Sequence, residues 1–193
     1  PVGKGELATT VLSLGSRLDG GKAAQKQYDE ADNMTLQLSA LACLLRQNVG
    51  ADALTAFYEQ WKHDRLVMDK WFGLQVSCAA PEDAASVAEK LTQHPDFDHK
   101  NPNRFRATLG ALAMHHAGFH HISGRGYALL ADWLITLDPI NPQTTARMCS
   151  AFQTWKRYDT ERQNMMSAEI DRILAQPNLS RDTSEMLTRI RNA

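Results

Sequence analysis

Apolar residues recur at helical spacing along almost the whole chain, and no stretch shows the sustained alternation of Val, Ile and Thr that marks strands. The pattern predicts an all-α protein. Met34, Leu38, Leu41, Leu45 and Val49 form one stripe, with Asp32 or Asn33 placed to cap it and Gly50 to end it. Leu54, Phe57, Tyr58 and Trp61 share one face of the next helix. After the polar turn at His63 and Asp64, a helix is predicted from Leu66. It carries Val67, Trp71, Leu74 and Cys78 on one stripe, with Met68 and Phe72 beside it. A helix apolar over more than half its circumference belongs between two layers.

Pro81 is suited to a first helical position, ahead of a short amphipathic helix carrying Ala84, Val87, Ala88 and Leu91, which His94 and Pro95 end. Two later helices open on the same dipeptide, Asn101 with Pro102 and Asn141 with Pro142, 40 residues apart. A helix over 126–137 lies between them. That spacing matches one HEAT or armadillo unit, so the expected architecture is a superhelical stack of antiparallel helix pairs, an armadillo-like solenoid. Helices over 160–176 and 180–192 are richer in charge, as a terminal capping repeat should be. The segment before Asp32 is sparse and is left without assigned elements. Residues 1–193 are read as a single domain. Pro1 in place of a start methionine marks a fragment, with room for further helices of the domain before it.

Composition narrows the function classes. Hydrophobic residues at 43% and charged residues at 22% are ordinary globular values. A formal net charge of −1 argues against nucleic acid or an acidic membrane as the main partner. No apolar run approaches the roughly 18 residues of a transmembrane helix, and no signal peptide opens the chain. Cys43, Cys78 and Cys149, odd in number and set among apolar positions, are expected to be reduced core thiols in a cytoplasmic protein.

Self-contained catalysis finds little support. His115, His116, His120 and His121 cluster in MHHAGFHHIS, and His116 with His120 would share a face if the helix ran on, which Gly118 opposes. No H-E-x-x-H, downstream Glu ligand or Cys partner accompanies them, so the expectation is a polar helix end and loop with no metal. Serines lack a nucleophile-elbow context, and no phosphate-binding glycine loop follows a strand. Acidic pairs such as Glu82 with Asp83 suit solvated first turns.

Arg104 and Arg106, early in the helix from Pro102, and Arg147, early in the helix from Pro142, oppose the backbone dipole and so call for a partner. A neighbouring carboxylate or a snorkelling surface position would satisfy them. If the two helices are equivalent members of adjacent pairs, Arg106 and Arg147 project from one end of the stack into one space. Two guanidinium forks there would suit peptide carbonyls or a carboxylate.

Several blocks in order resemble one family. LVMDKWFGLQ, YDEADNMTLQLSAL, NPNRFRATLGAL, NPQTTARM, KRYDTERQNMMSAEIDRIL and the following NLS, together spanning about residues 25–190, are similar to the C-terminal helical domain of bacterial aminopeptidase N, a zinc exopeptidase. The resemblance implies a superhelix that closes over the catalytic domain of the same parent chain and encloses the active-site chamber. It implies peptide substrates, with zinc and the catalytic Glu in the parent and none in this chain. It also places Arg106 and Arg147 where family arginines approach the chamber, as substrate-channel residues and not catalytic ones. The zinc ligands and the G-x-M-E-N loop have no counterpart here, and MHHAGFHHISGRG departs from the family pattern. The alternatives are a free-standing helical-repeat module that docks a protein segment, and a ligand-sensing regulator, which would need a basic helix-turn-helix that neither end supplies.

Overall fold

The computed structural model describes the backbone from Val2 to Ala193 and the side chains from Leu7 onward. Pro1, and the fragment reading that rests on it, lies outside the described residues. Among those residues every regular element is helical, and the chain groups into two compact units that divide between Ala79 and Ala80.

The first unit holds α1 (Val2–Asp19), α2 (Lys22–Glu30), α3 (Met34–Arg46), α4 (Ala51–Trp61) and α5 (Arg65–Cys78). The first two helices fall in the segment the sequence left without elements. Leu7, Val11, Leu14 and Leu18 do fall at helical spacing, but this stripe of α1 is exposed, while Ser16 is buried and its hydroxyl donates to the Leu12 carbonyl at 2.7 Å. Asn33 caps α3 by accepting the Leu36 amide at 3.0 Å. That helix stops at Arg46, short of Gly50, because Asn48 takes a left-handed turn at φ 57° and the Val49 amide folds back onto the Leu44 carbonyl. Gly50 instead precedes α4, where a Cβ would meet the Leu45 amide nitrogen at 3.0 Å.

Asp64 caps α5 through the Leu66 and Val67 amides. Val67, Met68, Trp71, Phe72, Val76 and Cys78 are buried in this helix, which packs on both α3 and α4. The predicted middle layer is therefore present, although Leu66 points out and Leu74 is only partly buried. Trp71 packs edge-on to Phe72 and donates its indole N–H to the Leu54 carbonyl at 3.1 Å. This aromatic pair serves packing.

The second unit begins with a turn. Pro81, Glu82 and Asp83 are exposed, so α6 (Ala84–Thr92) starts only where burial starts, and Pro81 precedes the helix instead of opening it. α7 (Pro102–Phe105) runs through a π turn, Arg106–Gly110, into α8 (Ala111–Met114). α9 (His116–Phe119), α10 (Arg125–Leu137) and α11 (Pro142–Met148) follow, then 3-10 turns at Cys149–Phe152 and Trp155–Arg157, and finally α12 (Thr160–Leu174) and α13 (Arg181–Asn192). Both Asn-Pro starts are capped as predicted: Asn101 Oδ1 accepts the Asn103 amide and Asn141 Oδ1 accepts the Thr144 amide, each at 3.0 Å. α10 is the centre of the unit, touching α6, α9, α11 and α12, with Tyr127, Leu130 and Leu134 fully buried. Asp138, just past its end, is buried and ties down the start of α13, accepting the Ser180 amide at 2.7 Å together with the hydroxyls of Ser180 and Thr183. The charged last pair, α12 with α13, covers this core as expected of a cap.

Candidate functional site

The Asn101 cap and Pro102 fix where α7 begins, and so fix the fates of its two arginines. Arg104 turns inward, is 6% exposed, and donates to the Asp96 carbonyl. It holds the preceding loop in place. Arg106 opens the π turn and stays exposed; its guanidinium donates to Asn103 Oδ1 at 2.7 Å, a neutral oxygen one turn back. The wider turn arises where Thr108 and Leu109 are both fully buried and the Thr108 hydroxyl back-bonds to the Arg104 carbonyl at 3.0 Å.

Arg106 lines a groove of about 750 Å³ whose other walls include Met114, His116, His120, Met148, Arg157 and Tyr158. No carboxylate lines it. Tyr158 stacks on His120 with ring centroids 3.9 Å apart and planes 21° from parallel. His120 is buried, with Nδ1 2.9 Å from the Tyr127 hydroxyl and its carbonyl accepting from Arg162 Nε at 2.6 Å. Burial pushes its pKa down to about 4, helped by the charges of His116 and Arg162, so this imidazole is neutral near pH 7. It is a rigid wall of the groove.

Arg147 lies elsewhere. It is exposed on α11 and lines a second concavity of about 560 Å³, bordered by Asp182, Glu185, Met186 and Arg189 of α13. The two arginines therefore do not share one space: α11 packs against α13, which turns Arg147 toward that helix, while the π turn aims Arg106 at the other groove. The second arginine lining the groove with Arg106 is Arg157, which no sequence motif marked out. Its only signal was the basic pair Lys156–Arg157 within the KRYD block.

The histidine cluster divides. His115 breaks the helix at ψ 77° and caps α9, its Nδ1 accepting the Gly118 amide at 3.0 Å; His121 Nδ1 sits 3.0 Å from the Ser123 hydroxyl. Gly118 does not stop α9; it allows close packing, since a Cβ there would lie 2.5 Å from the Ala84 Cβ. Among the described residues no group of three or more His, Cys, Asp or Glu side chains could hold a metal ion. The three cysteines are free and buried, and burial pushes the Cys149 thiol up to about 12. No described helix is long and apolar enough to cross a membrane.

The chain is 40% identical over 172 residues to aminopeptidase N of Haemophilus influenzae, covering 87% of this chain and 20% of that one. It is 43% identical over 138 residues to aminopeptidase N of Caulobacter vibrioides, covering 71% and 16%, and 41% identical over 170 residues to that of Escherichia coli, covering 85% and 19%. A solved structure, Legionella pneumophila aminopeptidase A in complex with aspartic acid, superposes with a TM-score of 0.90 at 33% identity, over 97% of this chain and 23% of that one. The chain thus spans about a fifth of the length of the curated relatives it matches. The family model described as "Domain of unknown function (DUF3458_C) ARM repeats" matches residues 2–192, in keeping with the predicted all-α armadillo-like stack. The chain belongs to that ARM-repeat family, and its likeness to aminopeptidase N is to the C-terminal helical domain of that enzyme.

Proposed function

We propose that this chain is the C-terminal domain of a cytoplasmic, zinc-dependent aminopeptidase that removes N-terminal residues from peptides, and that the domain closes over the catalytic domain and shapes the chamber through which peptides reach it. The observation that carries the reading is identity of 40–43% to aminopeptidase N across 71–87% of the chain, within one family model. Its partners are the catalytic domain of the same parent chain and the peptide substrate.

Zinc, held by the parent's catalytic domain, would polarise the scissile carbonyl and activate water. The described residues of this chain do not fit such an ion, and no step of the reaction is assigned to them. Their contribution is positional. An enclosed chamber admits only substrates that fit, and fixed donors along its wall orient the distal part of a peptide while its N-terminus reacts. Arg106 and Arg147, both exposed, are the proposed substrate-channel residues, now assigned to two separate stations along the peptide.

In the complete enzyme, Arg106→Ala and Arg147→Ala should each raise KM for tripeptides and longer substrates by about three- to tenfold, the loss of one solvent-accessible charged hydrogen bond. KM for a single-residue chromogenic amide should stay unchanged, because that substrate is too short to reach either side chain. Equal effects on both substrates would refute the positional role.

A further inference from the structure

The groove beside Arg106 is lined by two arginines and by no carboxylate. Five arginines elsewhere in the unit have a carboxylate partner within the fold: Arg125 pairs with Glu89 at 2.8 Å, Arg162 with Asp159 at 2.6 Å, Arg172 with Asp132 at 2.7 Å, Arg181 with Glu185 at 2.6 Å and Arg191 with Asp171 at 2.8 Å. Arg106 and Arg157 are both exposed and line the same groove, and among the described residues neither has a carboxylate within ion-pair reach. Two cations lining one groove with no anion between them repel each other, and a bound carboxylate reduces that repulsion.

The rest of the lining says which carboxylate. Met114, 73% exposed, and Met148 give the groove an apolar surface, with Ala113 and Ala151 beside them. Methionine adapts to side chains of different shape, so this surface suits an apolar group of no fixed outline. The Tyr158–His120 stack stiffens one side, and Asn103 Oδ1 holds the Arg106 guanidinium in place before any ligand arrives. A volume of about 750 Å³ accommodates one or two residues of an extended chain. An inorganic anion would use the guanidinium groups and leave the apolar surface wet. A chain end uses both.

Resting on the proposed aminopeptidase function, we infer that this groove binds the C-terminal end of the peptide substrate: the terminal carboxylate lies between Arg106 and Arg157, and an apolar C-terminal side chain packs against Met114 and Met148. Arg157 is then a substrate-binding residue that tells a free chain end from an internal segment. The domain would favour peptides long enough to span from the reacting N-terminus to this groove.

The test uses the complete parent chain and pairs of peptides identical except for a free C-terminal carboxylate or an amide. With the wild type, KM for the amide should be about tenfold higher than for the acid, the worth of a charge-assisted contact. Arg157→Ala should bring that ratio near one by weakening only the acid, and Arg157→Lys should keep part of it. Arg181→Ala, which removes one positive charge from a paired and exposed site, should leave the ratio as it is. An acid-to-amide ratio of one in the wild type, or a ratio untouched by Arg157→Ala in a variant that melts like the wild type, overturns the inference. So does an amidated peptide ending in Asp that binds as well as the free acid, since its carboxylate is not a chain end. Calorimetric binding of N-acetylated acid and amide peptides reads the groove without turnover. A chain that releases no amino acids but still prefers the acid refutes the aminopeptidase reading alone, whereas one that turns over both peptides equally and binds both equally refutes only the groove.

Discussion

His120 makes the stability of the second unit depend on pH. Its folded pKa is pushed down to about 4 from 6.5, first by burial and then by the charges of His116 and Arg162. Between those values the unfolded chain takes up a proton that the folded chain refuses, so stability is full above about pH 6.5 and is lost as the pH falls toward 4. Urea midpoints measured across that range should fall for the wild type. A His120→Gln variant should start lower, having lost the fit against Tyr127 and Tyr158, yet change less with pH. Parallel curves would mean that other groups carry the acid sensitivity. At this scale the sequence showed Arg106 clearly, because a cation in the first turns of a helix is a local anomaly. It could not show Arg157, whose position in the same groove depends on how a 3-10 turn packs. Nor could it tell that His115 caps while His120 stacks, since four imidazoles in seven residues look alike until their neighbours are placed.

Helix starts were the most legible elements, because a cap is local: an Asn or Asp side chain meets an amide two or three residues on. Asn101 and Asn141 cap as their sequence contexts suggested, Asn33 is the capping member of the Asp32–Asn33 pair, and Asp64, read from the sequence only as a turn residue, caps as well. Asn101→Ala and Asn141→Ala should each cost about 1 kcal/mol in chemical denaturation, and glycine at either site only a few tenths. A loss near zero at Asn101 would mean that packing of Phe105 and Leu109, not the cap, sets where α7 starts. Helix ends and breaks were less legible. Gly50 and Pro81 are strong local signals, but the burial of Leu44 and of Ala84 decided the boundaries. The π turn at Arg106–Gly110 left no mark in the apolar pattern, because an extra residue in one turn shifts the stripe by an amount that a wide buried face absorbs.

At the scale of the whole molecule, the all-α class and the helix pairs follow from periodicity alone, while the link to an enzyme does not. It came from ordered blocks such as LVMDKWFGLQ, whose Trp71 and Phe72 turn out to be packing. On the proposed function, the chemistry lies in the parent's catalytic domain and this chain supplies walls. The direct test is release of N-terminal amino acids from peptides by the complete parent protein and by this 193-residue chain, each with and without a zinc chelator. The prediction is chelator-sensitive release, restored by added zinc, for the parent and no turnover for the chain alone. Chelator-sensitive turnover by the isolated chain, or none by the parent, would contradict it.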